Sequence, residues 1–225
     1  MESSNILLAR QPIYDCQLNV AAYELLFRPP QGVAWEWDGD VATSQLVLNA
    51  FAEIGFDRAT DNKRAFINFT RRWLLEPPPF DPTQVTIEIL ETVEPDAEVV
   101  AAVQVLAKRG FVIALDDFVF AEKWHPLLQL TSIVKVDVLE HQGAALEQMV
   151  QRLSSYNVTL LAEKVETYGV FEHCKALGFK LFQGYFLCRP QNIKGDTLPS
   201  NKMVVMRFLA ELQNPEVDMR SLEQL

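Results

Sequence analysis

The sequence predicts an α/β fold, a TIM-like (β/α)8 barrel with an irregular or antiparallel first strand, followed by a short C-terminal helical extension. Seven apolar, strand-like runs each carry a polar residue at or near one end: Glu24, Asn68, Glu88, the pair Asp116 and Asp117, Lys135, Glu163 and Gln183. Successive polar positions lie roughly 20 to 45 residues apart, about one strand–helix unit. From Glu88 onward such runs alternate regularly with helix-like segments. A wheel of these units brings every polar residue to one mouth, at the C-terminal ends of the strands. The five carboxylates among them, Glu24, Glu88, Asp116, Asp117 and Glu163, would repel one another strongly there unless cations sat between them. The pattern therefore points to a divalent-metal site.

Taken in order, LLARQPIYD and NVAAYELLF are two strands joined by a polar turn, Cys16 to Asn19, so the barrel opens with a hairpin. The segment 40–54 places Val41, Leu46, Leu48 and Phe51 as an amphipathic helix would. After the Asn68 strand comes a short helical piece to Leu75, and then a proline-rich loop, Pro77 to Pro82, that breaks regular structure. Helices are predicted over 95–109, 140–155 and 165–177, with Gly110 and Gly178 where two of them must stop. The barrel domain is expected to span 1–192. Residues 193–225 form a linker, QNIKGDTLPSN beginning just before that boundary, and then a strongly helical KMVVMRFLAELQ. This tail either packs back on the barrel or begins a second helical domain, the reading adopted here.

Composition narrows the function classes. The 225 residues are 49% hydrophobic with nine glycines, as in a packed globule. A net charge of −10 disfavours nucleic acid and anionic membrane surfaces as partners, so a phosphate-bearing ligand needs metal ions or well-placed arginines. No apolar stretch is long enough to span a membrane, and the start MESSN lacks an export leader, so the expected compartment is the cytoplasm. Cys16, Cys174 and Cys188 lack metal-ligand spacing and are read as reduced thiols. The three histidines form no zinc pattern. Oxygen-rich ligands select Mg²⁺ or Mn²⁺ instead.

Each polar residue also has an ordinary explanation. Glu24 and Arg28 could be a surface ion pair, Asp116–Asp117 a helix cap, Asn68 a turn residue, and Lys135 and Asp137 a pair neutralising each other on one strand face. Glu163 and Glu166 could sit exposed at a helix start, and Trp35, Trp37, Trp73 and Trp124 could be packing. These explanations hold singly; all of them at once, in this order along the chain, is a much stronger demand.

The ordered motifs carry a resemblance. RQPIYD (10–15), YELLFR (23–28), INFT (67–70), IEILE (87–91), LDDF (115–118), KVD (135–137), AEKVET (162–167) and QGYFLCRP (183–190) resemble the EAL family of cyclic di-GMP phosphodiesterases, from about Leu8 to Pro190. More narrowly, the chain looks like the branch in which an EAL barrel is followed by an HDOD domain. The resemblance implies bacterial second-messenger signalling through hydrolysis of cyclic di-GMP to linear pGpG. It implies a two-metal site, with Glu24, Asn68, Glu88 and Asp116 holding one ion and Asp116, Asp117 and Glu163 the other. By the same resemblance Glu163 and Lys135 orient or deprotonate the attacking water and Gln183 positions it. Gln11 and Arg28 hold the substrate, and Glu91 steadies the loop after the aspartate pair. It further implies a homodimer and a C-terminal HDOD domain or partner protein.

Two departures bear on activity. Where the family has a glycine-containing DFGTG-type loop, Phe118 is followed by Val119, Phe120 and Ala121, so Glu91 is left without its polar anchor. Lys164 replaces the glycine of AEGVE, and its ammonium either competes for the carboxylates or points into water. Three readings therefore stand: a metal-dependent phosphodiesterase, a module that binds cyclic di-GMP or a partner with little or no turnover, and a ligand-free scaffold.

Overall fold

The computed structural model describes residues 7–28, Thr43, 55–77 and 80–194. The helix expected over 40–54, apart from Thr43, and the extension from 195 onward lie outside the described residues.

The chain opens with β1 (Leu7–Asp15) and β2 (Val20–Arg28), an antiparallel pair in the register Gln11 opposite Glu24. Their turn is held by Asp15, whose Oδ1 accepts from the Gln17 and Asn19 amides at 2.8 and 2.9 Å, with Leu18 in a left-handed conformation. Strand–helix units follow: α1 (Phe56–Thr60), β3 (Arg64–Phe69), α2 (Arg71–Leu75), β4 (Val85–Ile89), α3 (Ala97–Lys108) and β5 (Val112–Leu115). A 3₁₀ turn, Glu122–Trp124, leads into the one-turn α4 (His125–Leu128), and then come β6 (Ile133–Asp137), α5 (Ala144–Leu153), β7 (Thr159–Glu163), α6 (Tyr168–Ala176) and the two-residue β8 (Leu181–Phe182). Strands β2 to β8 are parallel neighbours, and β8 pairs antiparallel with the end of β1, which closes an eight-stranded barrel. The antiparallel first strand is as expected.

Local chemistry explains the helices. Asp96 caps α3 by accepting from the Val99 amide at 2.9 Å, and Thr167 caps α6 through the Val170 amide. Val99, Val103 and Leu106 recur at helical spacing and form the buried face of α3. Gly110 and Gly178 take φ of 94° and 103° just past α3 and α6, where a side chain would be strained. The short α1 and α4 were not predicted, because four or five residues carry too little periodicity to read.

A ninth strand, β9 (Gln191–Lys194), lies antiparallel on the first half of β1, pairing Leu7–Arg10. The sequence predicts QNIK as the beginning of a linker, and the expected boundary at residue 192 falls inside this strand. Its polar residues tolerate exposure at the sheet edge while the half-buried Ile193 packs on the core.

At the mouth, the loop after β7 rests directly on the loop after β8. The Val165 amide donates to the Gln183 carbonyl at 2.9 Å, and the Phe186 amide to the Val165 carbonyl at 3.1 Å. A Cβ added to Gly184 would stand 2.2 Å from the Val165 backbone N and O, so only glycine fits. Gly184→Ala should therefore lower the melting temperature by about 5–10 °C. A thermal melt that leaves it unchanged would show that the two loops do not meet at this distance.

Candidate active site at the barrel mouth

Side chains of a strand alternate between faces, so every second residue points into the barrel. One interior layer is apolar: Ile13, Ala22, Phe66, Ala114, Ile133 and Leu161 pack together, with Leu181 against them, and Thr86 holds the β4 position. Moving two residues toward the mouth on each strand gives Gln11, Glu24, Asn68, Glu88, Asp116, Lys135, Glu163 and Gln183. Each strand thus contributes one polar group to a single ring, seated on an apolar plug that excludes water from below.

Lys135 stands at the centre of that ring, 1% exposed. Its Nζ lies 2.6 Å from Asp116 Oδ1, 2.8 Å from Glu88 Oε1, 3.0 Å from Glu163 Oε1 and 3.8 Å from Glu24 Oε1. Burial alone would depress its pKa. The four carboxylates, Asp116 foremost, reverse that and hold the ammonium well above the ordinary lysine range. One cation does not balance four acids. Burial, reinforced by Asp116 and Glu24 against the pull of Lys135, pushes Glu163 up to about 8. Glu88, fully buried, is likewise raised well above the usual carboxylate range, by burial first. Gln183 donates from Nε2 to Glu24 Oε2 at 2.6 Å and so orients that carboxylate.

Beside this ring lies a second group. Asp117 follows Asp116 at φ 38°, and Lys164 follows Glu163 at φ 57°. The Lys164 ammonium donates to Asp137 Oδ2 and lies 3.7 Å from Asp117 Oδ1. Asp137 also accepts from the Leu139 and Glu140 amides at 2.8 and 3.1 Å. Burial would raise the Asp137 carboxyl, but Lys164 and those two amides hold it below the ordinary range. Asp137 therefore pairs with Lys164 and not with Lys135, its neighbour on the strand face. This partnership was not legible in the sequence, because Asp137 and Lys164 meet only when β6 and β7 lie in register, Asp137 opposite Glu163.

The other expected site residues are placed as follows. Gln11 is buried, and its Nε2 donates to the Cys188 carbonyl at 3.2 Å. Arg28 ends β2, and its side chain lies outside the described residues. Glu91 is exposed and lines a cavity of about 150 Å³ with Asp116, Asp117, Phe118, Val119 and Trp124. It makes no hydrogen bond or ion pair with that loop among the described residues. The loop is instead held by rings: Phe118 packs edge-on against Phe120 and Trp124, at centroid distances of 6.0 and 6.4 Å. Trp124 is buried and belongs to the core.

The ring fits hard divalent cations. Asn68 Oδ1, Glu88 Oε2, Glu163 Oε2 and Gln183 Oε1 are buried without any hydrogen-bond partner, a costly arrangement unless these oxygens serve a ligand. All potential donors are oxygens, and the acids outnumber the one lysine. Among the described residues, no three acid, histidine or cysteine groups surround one point as a finished ligand cluster. The point on which the acids converge is taken by the Lys135 ammonium.

Comparison with known proteins gives the family. The EAL domain family model matches residues 54–190. The cyclic di-GMP phosphodiesterase CdgJ of Vibrio cholerae is 36% identical over 224 residues, covering 97% of this chain and 52% of that protein. YuxH of Bacillus subtilis is 34% identical over 227 residues, covering 97% of this chain and 56% of YuxH. The chain spans about half the length of these curated relatives. Among solved structures, the EAL-domain protein YkuI of Bacillus subtilis, in complex with substrate c-di-GMP and calcium, superposes with a TM-score of 0.65. That match is 17% identical and covers 89% of this chain and 58% of YkuI, and it shows the barrel fold.

The raised Glu163 pKa has a definite sign in stability. A carboxyl whose folded pKa is raised stabilises the fold fully below its unfolded value, near 4.3, and loses that contribution as pH rises through about 8. In chelator-treated protein, Glu163→Gln should melt a few degrees above the wild type at pH 9. The advantage should shrink toward pH 5. Parallel melting curves across this range would contradict the assignment.

Proposed function

The chain belongs to the EAL domain family, and from that premise we propose that it is a metal-dependent phosphodiesterase hydrolysing cyclic di-GMP to linear pGpG in the bacterial cytoplasm. The observation that carries this reading is the ring of buried, partnerless oxygens around Lys135. Glu24, Asn68, Glu88 and Asp116 are the candidate ligands of one Mg²⁺ or Mn²⁺, and Asp116, Asp117 and Glu163 of a second. Held there, such ions would supply acidified water and charge neutralisation at the scissile phosphoryl group.

The chain's own residues divide the remaining work. Glu163, beside Asp116 and Lys135 on the inner ring, is the candidate group to orient the attacking water and accept its proton. Lys135 supplies a fixed positive charge 3.0 Å from Glu163, which holds that carboxylate in place and favours an anionic reaction centre beside it. Gln183, with Nε2 committed to Glu24, keeps Oε1 free to accept from a water and so orient it. Gln11 and Arg28 are the candidate substrate contacts. The apolar plug beneath the ring limits water to the mouth side.

A second reading is favoured by one observation. Lys164 sits within 3.7 Å of Asp117, a carboxylate assigned to the second ion. The chain would then bind cyclic di-GMP, or a partner protein, with slow turnover.

Turnover of cyclic di-GMP by the purified chain with Mg²⁺ or Mn²⁺, with pGpG separated from GMP, tests the proposal. The expected result is metal-dependent pGpG. Glu163→Gln should reduce the rate by roughly 10²–10⁴-fold, with the near-ultraviolet circular dichroism unchanged. Absence of product together with tight nucleotide binding would establish the binding module instead.

A further inference from the structure

Among the described residues, Lys135 and Lys164 serve different carboxylates of the mouth. Lys135 faces Glu24, Glu88, Asp116 and Glu163, leaving the inner ring with an excess of acid. Lys164 faces Asp117 and Asp137, and Asp137 is further satisfied by two backbone amides. The outer pair thus has one ammonium for two acids, against one for four in the inner ring, which also keeps several partnerless oxygens. The Lys164 side chain is also directed by its backbone. A left-handed φ of 57° is a strained conformation for a non-glycine residue. The turn cannot relax easily, because Val165 is bonded to Gln183 and packed against Gly184 with no room for a Cβ. The strain is maintained by the neighbouring loop, and it aims the ammonium at the carboxylates.

We propose that Lys164 is a built-in counter-cation for the outer carboxylates, so that the mouth takes one divalent cation at the inner ring and admits a second beside Asp117 only when Lys164 is displaced. This rests on the metal-dependent reading above and restricts it. Lys164 would set how much divalent cation the outer position needs before it fills. Half of its side chain is exposed, so displacement is open to a strong enough competitor.

Mn²⁺ binding to the full chain, followed by the electron paramagnetic resonance signal of free Mn²⁺, tests the proposal without any turnover. Wild type should take up one tight Mn²⁺, with a second held at least about tenfold more weakly, the scale set by loss of one charge-assisted hydrogen bond. Lys164→Met removes the charge and keeps the side-chain bulk, and Lys164→Gly also relieves the backbone. Both should tighten the second Mn²⁺ by about tenfold, while Lys164→Arg behaves as wild type. Two equally tight ions in wild type would overturn the proposal. So would tightening in Lys164→Gly alone, which would assign the effect to the backbone. No Mn²⁺ uptake by any of the proteins would sink the metal-dependent reading itself, and this proposal with it.

Discussion

A single buried ammonium, that of Lys135, makes the barrel mouth possible. Two unit charges 4 Å apart interact by about 4 kcal/mol at an effective dielectric near 20, so four acids crowded into one ring need a cation among them. Lys135 reaches all four, from four different strands. It is held there because Val134 and Val136 are buried on the outer face of β6, which leaves Lys135 no direction but inward. One cation for four acids is still too few. The shortfall appears as raised carboxyl pKa values and as oxygens without partners, and it is what makes the ring receptive to further positive charge.

The loops after β7 and β8 form the second constraint. The chain crosses itself where Gly184 meets Val165, and the contact holds the residue just before it, Lys164, in a left-handed turn. Backbone packing of two neighbouring loops thereby decides where a flexible lysine directs its charge. Strain kept at a functional site by neighbouring structure is a recurring arrangement. Here the stored energy is small beside the electrostatic consequence of placing an ammonium next to Asp117 and Asp137.

Much of the site was legible in the sequence, and for one reason. A polar residue at the end of an apolar run is a local signal, so VTIEI marks Glu88 and SIVKVDV marks Lys135 before any fold is known. The antiparallel hairpin was equally plain, since four residues between Asp15 and Val20 leave no room for a crossover helix. What could not be read was carried by weak or distant signals. QNIK has no hydrophobic alternation, and it becomes β9 only because β1 leaves an edge for it. Glu91 belongs to a paired-glutamate motif, yet it lies exposed beside a loop held by Phe118, Phe120 and Trp124.

By itself the sequence determined which runs become the barrel strands from β1 to β8 and which polar residue each run carries toward the mouth. These follow from backbone geometry, which repeats every two residues and needs no partner. Only the tertiary structure decided which charges face each other: Lys135 with the inner four acids, and Asp137 with Lys164 across β6 and β7. Ion pairing depends on separations of a few ångströms between segments far apart in the chain. Those separations are fixed when the barrel closes and its strands settle into register.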